Sequence, residues 1–427
     1  MGIENIFDEF TRTEEPAWLK EFRSKSFKVF QDLKAESTEL FKHQTFFNDF
    51  DLEEFHLGSN KSTLDFDLPD DLKKKGIVVA QINESKDVPH VKQMLASNSK
   101  INDKFLQMNN ALFNSGLYVY VPKGLQTDMP LRLTTSIKST TFSKIIFILD
   151  HDSVLRVIKE DYSKHSNTPI LFSDSVEVLL MDGAELHISH IQNLSQNVIH
   201  LTNKTGTCNR NSKIYWNMGY FGGKKVRSSV YSLLLGEGSE AEDIEVLFGN
   251  KSQQFDVFSN LVHTGRNTTG RVLSNGVMKD NSNALFKGMI KISEGAKNTN
   301  AFLGEHVMLL SREAKAKAIP GLEIETNEVK ATHSASVSQI EEEKLFYLMS
   351  RGLTGEEAKK MIAFGFFDPV IRKMLLDEMK TKLYHLLELK WQGREEEFLD
   401  DLEKLKIDET ISAKKKEDMF SGHYKYR

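Results

Sequence analysis

The sequence predicts a mainly β protein: a long core of stacked strands with helical regions before and after it. Three observations carry this. First, from Leu117 to about Ser336, short runs rich in Val, Ile, Leu and Tyr alternate with Gly, Asn, Asp and Ser: LYVYV, KIIFIL, VEVLLM, KIYWNMGY, SVYSLLL and MIKIS. No amphipathic helix interrupts them, which disfavours βαβ units. Second, small-residue corners recur before apolar strands, at Asp152, Gly183, Gly238, Gly295 and Glu313. Their recurrence favours stacked coils, as in a β-helix, over a single sandwich, which stays open as the alternative. Third, between Pro320 and Gly352 the pattern passes from strand to helix without a linker.

Taken in order, residues 1–116 read as helical segments joined by polar loops, with a strand at Gly76–Gln81. Trp18, Phe22, Val29 and Phe30 share one face of an amphipathic helix. Residues 117–336 are the β core. Leu322, Ile324, Val329 and Ala331 alternate as in a half-buried strand, and Ser338 ahead of Glu341 predicts a capping box at the start of the next helix. Residues 337–427 form the second helical region, in which Gly352 and Gly355 separate two helices. Leu376, Met379, Leu383, Leu386 and Leu387 form a stripe, continued by Trp391, Phe398, Leu402 and Leu405, whose plain reading is packing on the chain's own core. A stack of strands leaves unpaired edges at both ends, and the flanking helices are the expected covers.

Composition narrows the function. The 427 residues carry a formal charge of −5, with a hydrophobic fraction of 39%. This acidic balance gives no argument for nucleic-acid binding. No apolar run approaches the ~18 residues of a membrane span, and MGIENIFDEF lacks the basic and apolar parts of a secretory signal. Ile6 stands where a myristoylation signal wants Ser or Thr. A cytoplasmic protein that meets neither membrane nor nucleic acid is expected. Lys414, Lys415 and Lys416 precede acidic residues and read as a solvated tail. The single Cys208 excludes an internal disulfide framework and any all-thiolate cluster site within the chain. It reads as a small buried residue.

The usual catalytic signatures are missing. FGGKKV around Lys224 lacks the first glycine and the Ser or Thr of a phosphate loop, so it reads as an exposed turn. His187 and His190, three apart on a strand, face opposite ways and cannot share a metal. His200 and His263 read as histidines satisfied within the β core. His333 differs. Thr332 and Ser334 flank it, and it stands where the last strand leaves the core. An imidazole there can order the strand-to-helix junction or serve as an iron ligand.

The order LEIE, VKATHSAS, LFYLMSRGLTGEEAKKMI resembles the SufB/SufD family of the SUF iron–sulfur cluster assembly system. Also similar are EPAWLKEFRSKSFKVF, ALFNSGLYVYVPKG, the run from Thr268 to Phe302, and EHVMLLSREAKAKA after it. The resemblance implies a right-handed parallel β-helix core and a histidine, here His333, at a subunit interface where clusters are assembled. SufB-type members carry a glutamate after this histidine and a cysteine one coil earlier. Ser334 and the cysteine-free stretch Leu309–Leu322 place this chain on the SufD-like side. Thr332 and Ser334 depart from the Cys and Gly that often flank the SufD histidine. The family further implies a non-catalytic scaffold that pairs with a SufB-type subunit and a SUF ABC-type ATPase. The isolated chain would hold no stable cluster, while a transient one in the complex is expected. For the ATPase dock, the aromatic-and-Arg cluster Phe346, Tyr347, Arg351, Gly352, Phe364, Phe366 and Phe367 is the candidate surface. The alternatives are a homodimeric scaffold that binds only the ATPase, and a β-helix carbohydrate-active enzyme, which would need convergent carboxylates in a groove. Nothing in the sequence identifies a flavin site.

Overall fold

The computed structural model describes residues 7–8, 15–36, 38–55, 62–82, 91, 94–95, 101–164 and 166–398. Leu402, Leu405 and the lysine-rich tail at Lys414–Lys416 lie outside the described residues.

Strands of the core alternate between two nine-stranded sheets. The first contains β1 (Thr63–Asp67), β4 (Leu131–Ile137), β6 (Val154–Ser163), β8 (Glu185–Asn193), β10 (Lys213–Tyr220), β12 (Glu240–Gly249), β14 (Thr269–Met278), β16 (Thr299–Leu309) and β18 (Val329–Gln339). The second contains β2 (Val78–Gln81), β3 (Ser115–Val121), β5 (Thr141–Leu149), β7 (Ile170–Leu180), β9 (Val198–Cys208), β11 (Lys225–Leu234), β13 (Gln254–His263), β15 (Asn283–Ile292) and β17 (Lys315–Ile324). Every pair from β3 to β18 is parallel to its neighbour one coil away. Thus Glu240 pairs with Thr269, and Thr299 with Val329, a repeat of about 30 residues. The result is a parallel β-solenoid rather than a sandwich.

Strict registry follows from the interior. Val157, Ile188, Trp216, Val272 and Leu303 stand on one inward ladder of the first sheet and are fully buried. A slip of one residue would turn that ladder outward. The corners also stack. Asp152, Gly183, Asn211, Gly238, Asn267 and Asn298 all adopt the left-handed conformation. The amide of each donates to a carbonyl of the next coil, as from Gly183 to Arg210 and from Gly238 to Arg266. At Gly183 a Cβ would lie 2.3 Å from Asp152 Oδ1, so a larger residue there would have to push that side chain aside. Three of the corners expected from the sequence fall on this ladder.

The long helices do not cover the solenoid's ends, contrary to expectation. Both sheets of the middle coils are apolar on both sides, so each outer face needs its own cover. On the second sheet, α1 (Ala17–Asp32) and α3 (Lys104–Leu112) pack with Phe142, Ile146, Ile148, Leu171 and Leu201. On the first sheet, α5 (Gly355–Ile371) and α6 (Asp377–Gln392) pack with Ile191, Ile244, Val246, Phe248 and Val277. The C-terminal stripe therefore packs on its own core: Met379, Leu383, Leu386 and Leu387 are buried. The first end is closed by strands and by the short helix that precedes β2, whose Leu72 is buried in the main core. After α2 (Asp70–Lys74), β2 pairs antiparallel with β3, while β1 pairs antiparallel with β4. Nothing among the described residues pairs with the free edges of β17 and β18.

Candidate functional site

The uncovered end is the last coil, made by β17 and β18. In β18 the inward positions follow from the pairing: Ala331 opposite Ala301, His333 opposite Leu303, Ala335 opposite Glu305 and Val337 opposite Val307. One coil earlier these partners are buried, whereas His333, Ala335 and Val337 are exposed because no further coil stands over them. His333 is thus an inward-facing side chain at an open mouth. The strand is 11 residues long and Lys330 is its only permanently charged residue. Its partner in the coil, β17, carries Pro320, Lys315, Lys317 and Glu323. Charges and proline are the usual guards of an edge, so β17 is blunted and β18 is not.

Beyond β18 the chain turns directly into α4 (Glu342–Ser350), none of whose residues is buried. The expected capping box is absent here. Ser338 is still in β18, and Glu341 occupies the N-cap without a side-chain capping bond, its carboxylate accepting from Lys344 instead. A complete capping box stands one helix later, between Thr354 and Glu357 at the start of α5. The expected break between the helices is present, with Gly352 at φ +98°. Phe346 is 75% and Tyr347 57% exposed, and Met349 and Met361 are exposed as well. The Arg351 guanidinium lies 5.3 Å from the Tyr347 ring centroid. Phe364 and Phe366 are half-buried on the helical core. Phe367 is fully buried beside Phe248 and faces the chain's own interior. The sequence reading brought seven residues together; the structure keeps Phe346, Tyr347 and Arg351 on one exposed helix end and takes Phe367 out of it.

The solenoid's interior holds a feature the sequence reading missed. One inward ladder runs Lys159, His190, Met218, Glu245, Ser274, Glu305 and Ala335 through successive coils of the first sheet. At its start, a buried lysine meets two buried carboxylates. Lys159 bonds Asp161 and lies 3.1 Å from Asp174. Burial works against the charge of each group, but the mutual attraction outweighs it. The Lys159 ammonium is held above its usual range and both carboxyls below theirs. Asp161, Asp174 and His200 place their ligand atoms within 4.8 Å of one another, a metal-like spacing. Lys159 supplies the positive charge there instead. His190 is pushed down to about 3 by burial and by Lys159, so it is a neutral donor to Asp161 at 2.6 Å.

Further along, the balance reverses. Asp243 bonds Ser259 and Glu245 bonds Ser274, each at 2.7 Å, with Lys204 the nearby cation. Burial pushes Glu245 up to about 7 and Glu305 up to about 8, while it lowers Lys204 to about 8. The signal was available in the sequence. In VLRVIKEDYS and EAEDIEVLFG, charges fall on the inward parity where apolar residues belong.

The remaining sequence expectations fall into place around this core. His187 stacks on Tyr215 and bonds Glu185, while His200 bonds Asp174 and His263 bonds Thr268. These histidines are held by structural contacts, although His200 Nδ1 and His263 Nε2 are left without a partner. Cys208 is buried in the main core, and burial pushes its thiol up to about 12, so it is no nucleophile. Lys224 is exposed at a turn. No described helix is long and apolar enough to cross a membrane.

Comparison with known proteins agrees with this architecture. Residues 132–366 match the family described as SUF system FeS cluster assembly, SufBD core domain. The iron–sulfur cluster assembly protein SufD of Bacillus subtilis is 28% identical over 415 residues, covering 88% of this chain and 95% of the relative. SufBD family proteins of Staphylococcus epidermidis and Staphylococcus haemolyticus are 28% identical over 294 and 331 residues. Those alignments cover 63% and 70% of the relatives. The matched region spans the solenoid from β4 through the open coil and into α5, and on these grounds the chain belongs to the SufB/SufD family of iron–sulfur cluster assembly proteins, on its SufD-like side.

Proposed function

We propose that this chain is a non-catalytic scaffold subunit of the SUF assembly complex, that it pairs with a SufB-type subunit through the free edge of β18, and that His333 serves cluster assembly at that junction. The observation that carries the reading is the open coil. An 11-residue edge with exposed inward side chains and one lysine costs solubility unless another strand covers it. A partner strand laid on β18 would bury Ala335 and Val337 as β18 itself covers Glu305 and Val307, and would enclose His333 in the junction. A neutral imidazole suits iron. The chain's own soft ligand, Cys208, lies buried deep within the solenoid, so thiolates and the remaining ligands would come from the partner. Cluster binding would then be transient and confined to the complex.

The ATPase would dock on α4, whose Phe346, Tyr347 and Arg351 form an exposed aromatic-and-Arg group. Removing the whole C-terminal region would strip the outer face of the first sheet, so substitution of Phe346 is the cleaner test. The carboxylates of the interior ladder are buried in the lumen, so they line no open groove for a carbohydrate substrate. The decisive experiment reconstitutes the chain with a SufB-type subunit and the ATPase under anaerobic iron and sulfide. His333→Gln should leave melting and complex formation near normal and reduce cluster formation strongly. Full cluster yield from that variant would reduce His333 to an architectural residue, and a stable homodimer through β18 that excludes the SufB-type subunit would favour the homodimeric scaffold.

A further inference from the structure

Glu305 is the interior side chain that nothing yet accounts for. It stands on β16 with 1% of its surface exposed, and no described cation pairs with it. Its carboxylate has a hydrogen bond with the backbone of Ile319 in β17, and Oε2 has no partner. A buried carboxylate without a counter-charge is costly, and structures retain such groups where something else meets them.

Small side chains and backbone surround it. Ala335 stands next on the same ladder. Ala316 and Ala318 of β17, opposite Ala284 and Phe286 of the buried core, and Ala331 of β18 give the last coil an inner face of small residues. Across the lumen is Gly288, where a Cβ would come within 2.8 Å of Glu305 Oε1. The bond to Ile319 carries the carboxylate toward the last coil, which is also the coil of His333. His333 pairs with Leu303, two residues from Glu305 on the same inward face. Diagonal neighbours of this kind lie about 7–8 Å apart at Cα, within reach of two long side chains.

We propose that Glu305 is the second protein ligand, beside His333, for a divalent iron ion received at the open coil. Imidazole and carboxylate together form a borderline-to-hard donor pair suited to iron(II), and the ion supplies the charge that Glu305 lacks. Water completes the coordination in the free chain. This inference rests on the reading of the open coil as the assembly site, and it adds to that reading a residue from inside the solenoid.

The test is a titration of the full-length chain with Co2+ as an optical probe, using wild type, Glu305→Gln and His333→Ala. Glutamine keeps the shape and the Ile319 bond while removing the charge. Wild type should bind one Co2+ with visible d–d absorption, and each variant should bind at least about tenfold more weakly. Without metal, Glu305→Gln should melt at or near the wild-type temperature, because glutamine keeps the shape and the Ile319 bond. A purely structural glutamate would show a lower melting temperature and unchanged Co2+ affinity, which overturns the proposal. Loss of binding in His333→Ala alone also overturns it, yet leaves His333 as the assembly residue. Loss in Glu305→Gln alone removes His333 from the site, and no binding by wild type at millimolar Co2+ removes the site altogether.

Discussion

The two edges of the first sheet, β1 and β18, answer the same physical problem in opposite ways. At one end β1 is five residues long, turns antiparallel, and carries Asp65 and Asp67, so further strand addition is discouraged. At the other, β18 continues the parallel stack for 11 residues and stops with its inward face uncovered. Natural sheets blunt an edge by shortness, charge or proline. This protein blunts β1 and, with Pro320, β17, and leaves β18 bare. The proposed pairing through β18 would need this asymmetry, which recruits a strand at one place and refuses it elsewhere.

The comparison can be broken where it is strongest, in the closed coils. Trp216 is fully buried on an inward ladder, with its indole N–H bonded to Ser232 at 3.1 Å. Trp216→Ala should cost about 3–5 kcal/mol in chemical denaturation of the isolated chain. A cost below about 1 kcal/mol would mean that the interior is not packed as described.

A pair of identical residues sharpens the contrast. Val307 and Val337 are register partners on one ladder, the first 1% exposed and the second 40%. Val307→Ala should destabilise the isolated chain by about 2 kcal/mol. Val337→Ala should be close to neutral there, and should matter only when a partner strand covers it. Equal losses in the isolated chain would show that the last coil is already covered.

The interior charges predict a pH effect of intermediate size. Burial raises the Glu245 carboxyl to about 7, so the native state keeps a proton that the unfolded chain releases near the ordinary glutamate range. Its contribution is fully present below that range and is lost as pH rises through the folded value. Relative to Glu245→Gln, wild type should therefore lose about 1 kcal/mol per pH unit between about pH 4.5 and 7. Buried groups remote from Glu245 cancel in this difference, whereas Asp243 and Lys204 feel its charge. A difference that stays flat would place Glu245 in contact with a counter-charge.

The smallest effect on stability is expected at α4. Phe346→Ala should leave melting within about 0.5 kcal/mol, since its side chain touches little of its own protein. Binding of a SUF ATPase should fall by more than tenfold, as for an interface anchor of about 2 kcal/mol. Unchanged binding would move the dock elsewhere.

Much of this was legible in the sequence for identifiable reasons. Alternating Val, Ile and Leu runs with recurrent small corners specify a parallel stack because both periodicity and turn conformation repeat. Gly183 and Gly238, for example, stand at the left-handed corners that the recurrence marked. The break between α4 and α5 was legible because Gly352 takes a conformation few other residues adopt. Placement of the helices was not legible. An apolar stripe such as that of α6 shows what must be buried, but not whether a sheet face or a sheet end will bury it. Ser338 misled because a capping pattern does not reveal that the strand before it continues to Gln339. Of the site, His333 was marked by its polar neighbours and by family likeness. Glu305 was hidden, because a lone glutamate in AFLGEHVML shows its inward parity only when register is known.

The central claim is that β18, and not β1, is the pairing edge. Hydrogen–deuterium exchange of the isolated chain, repeated after mixing with a SufB-type subunit, addresses it directly. Amides of Val329–Gln339 should exchange rapidly in the isolated chain and become strongly protected in the mixture, while those of Thr63–Asp67 remain unchanged. Protection gained at Thr63–Asp67, or none gained at Val329–Gln339 in a complex that demonstrably forms, would contradict the account.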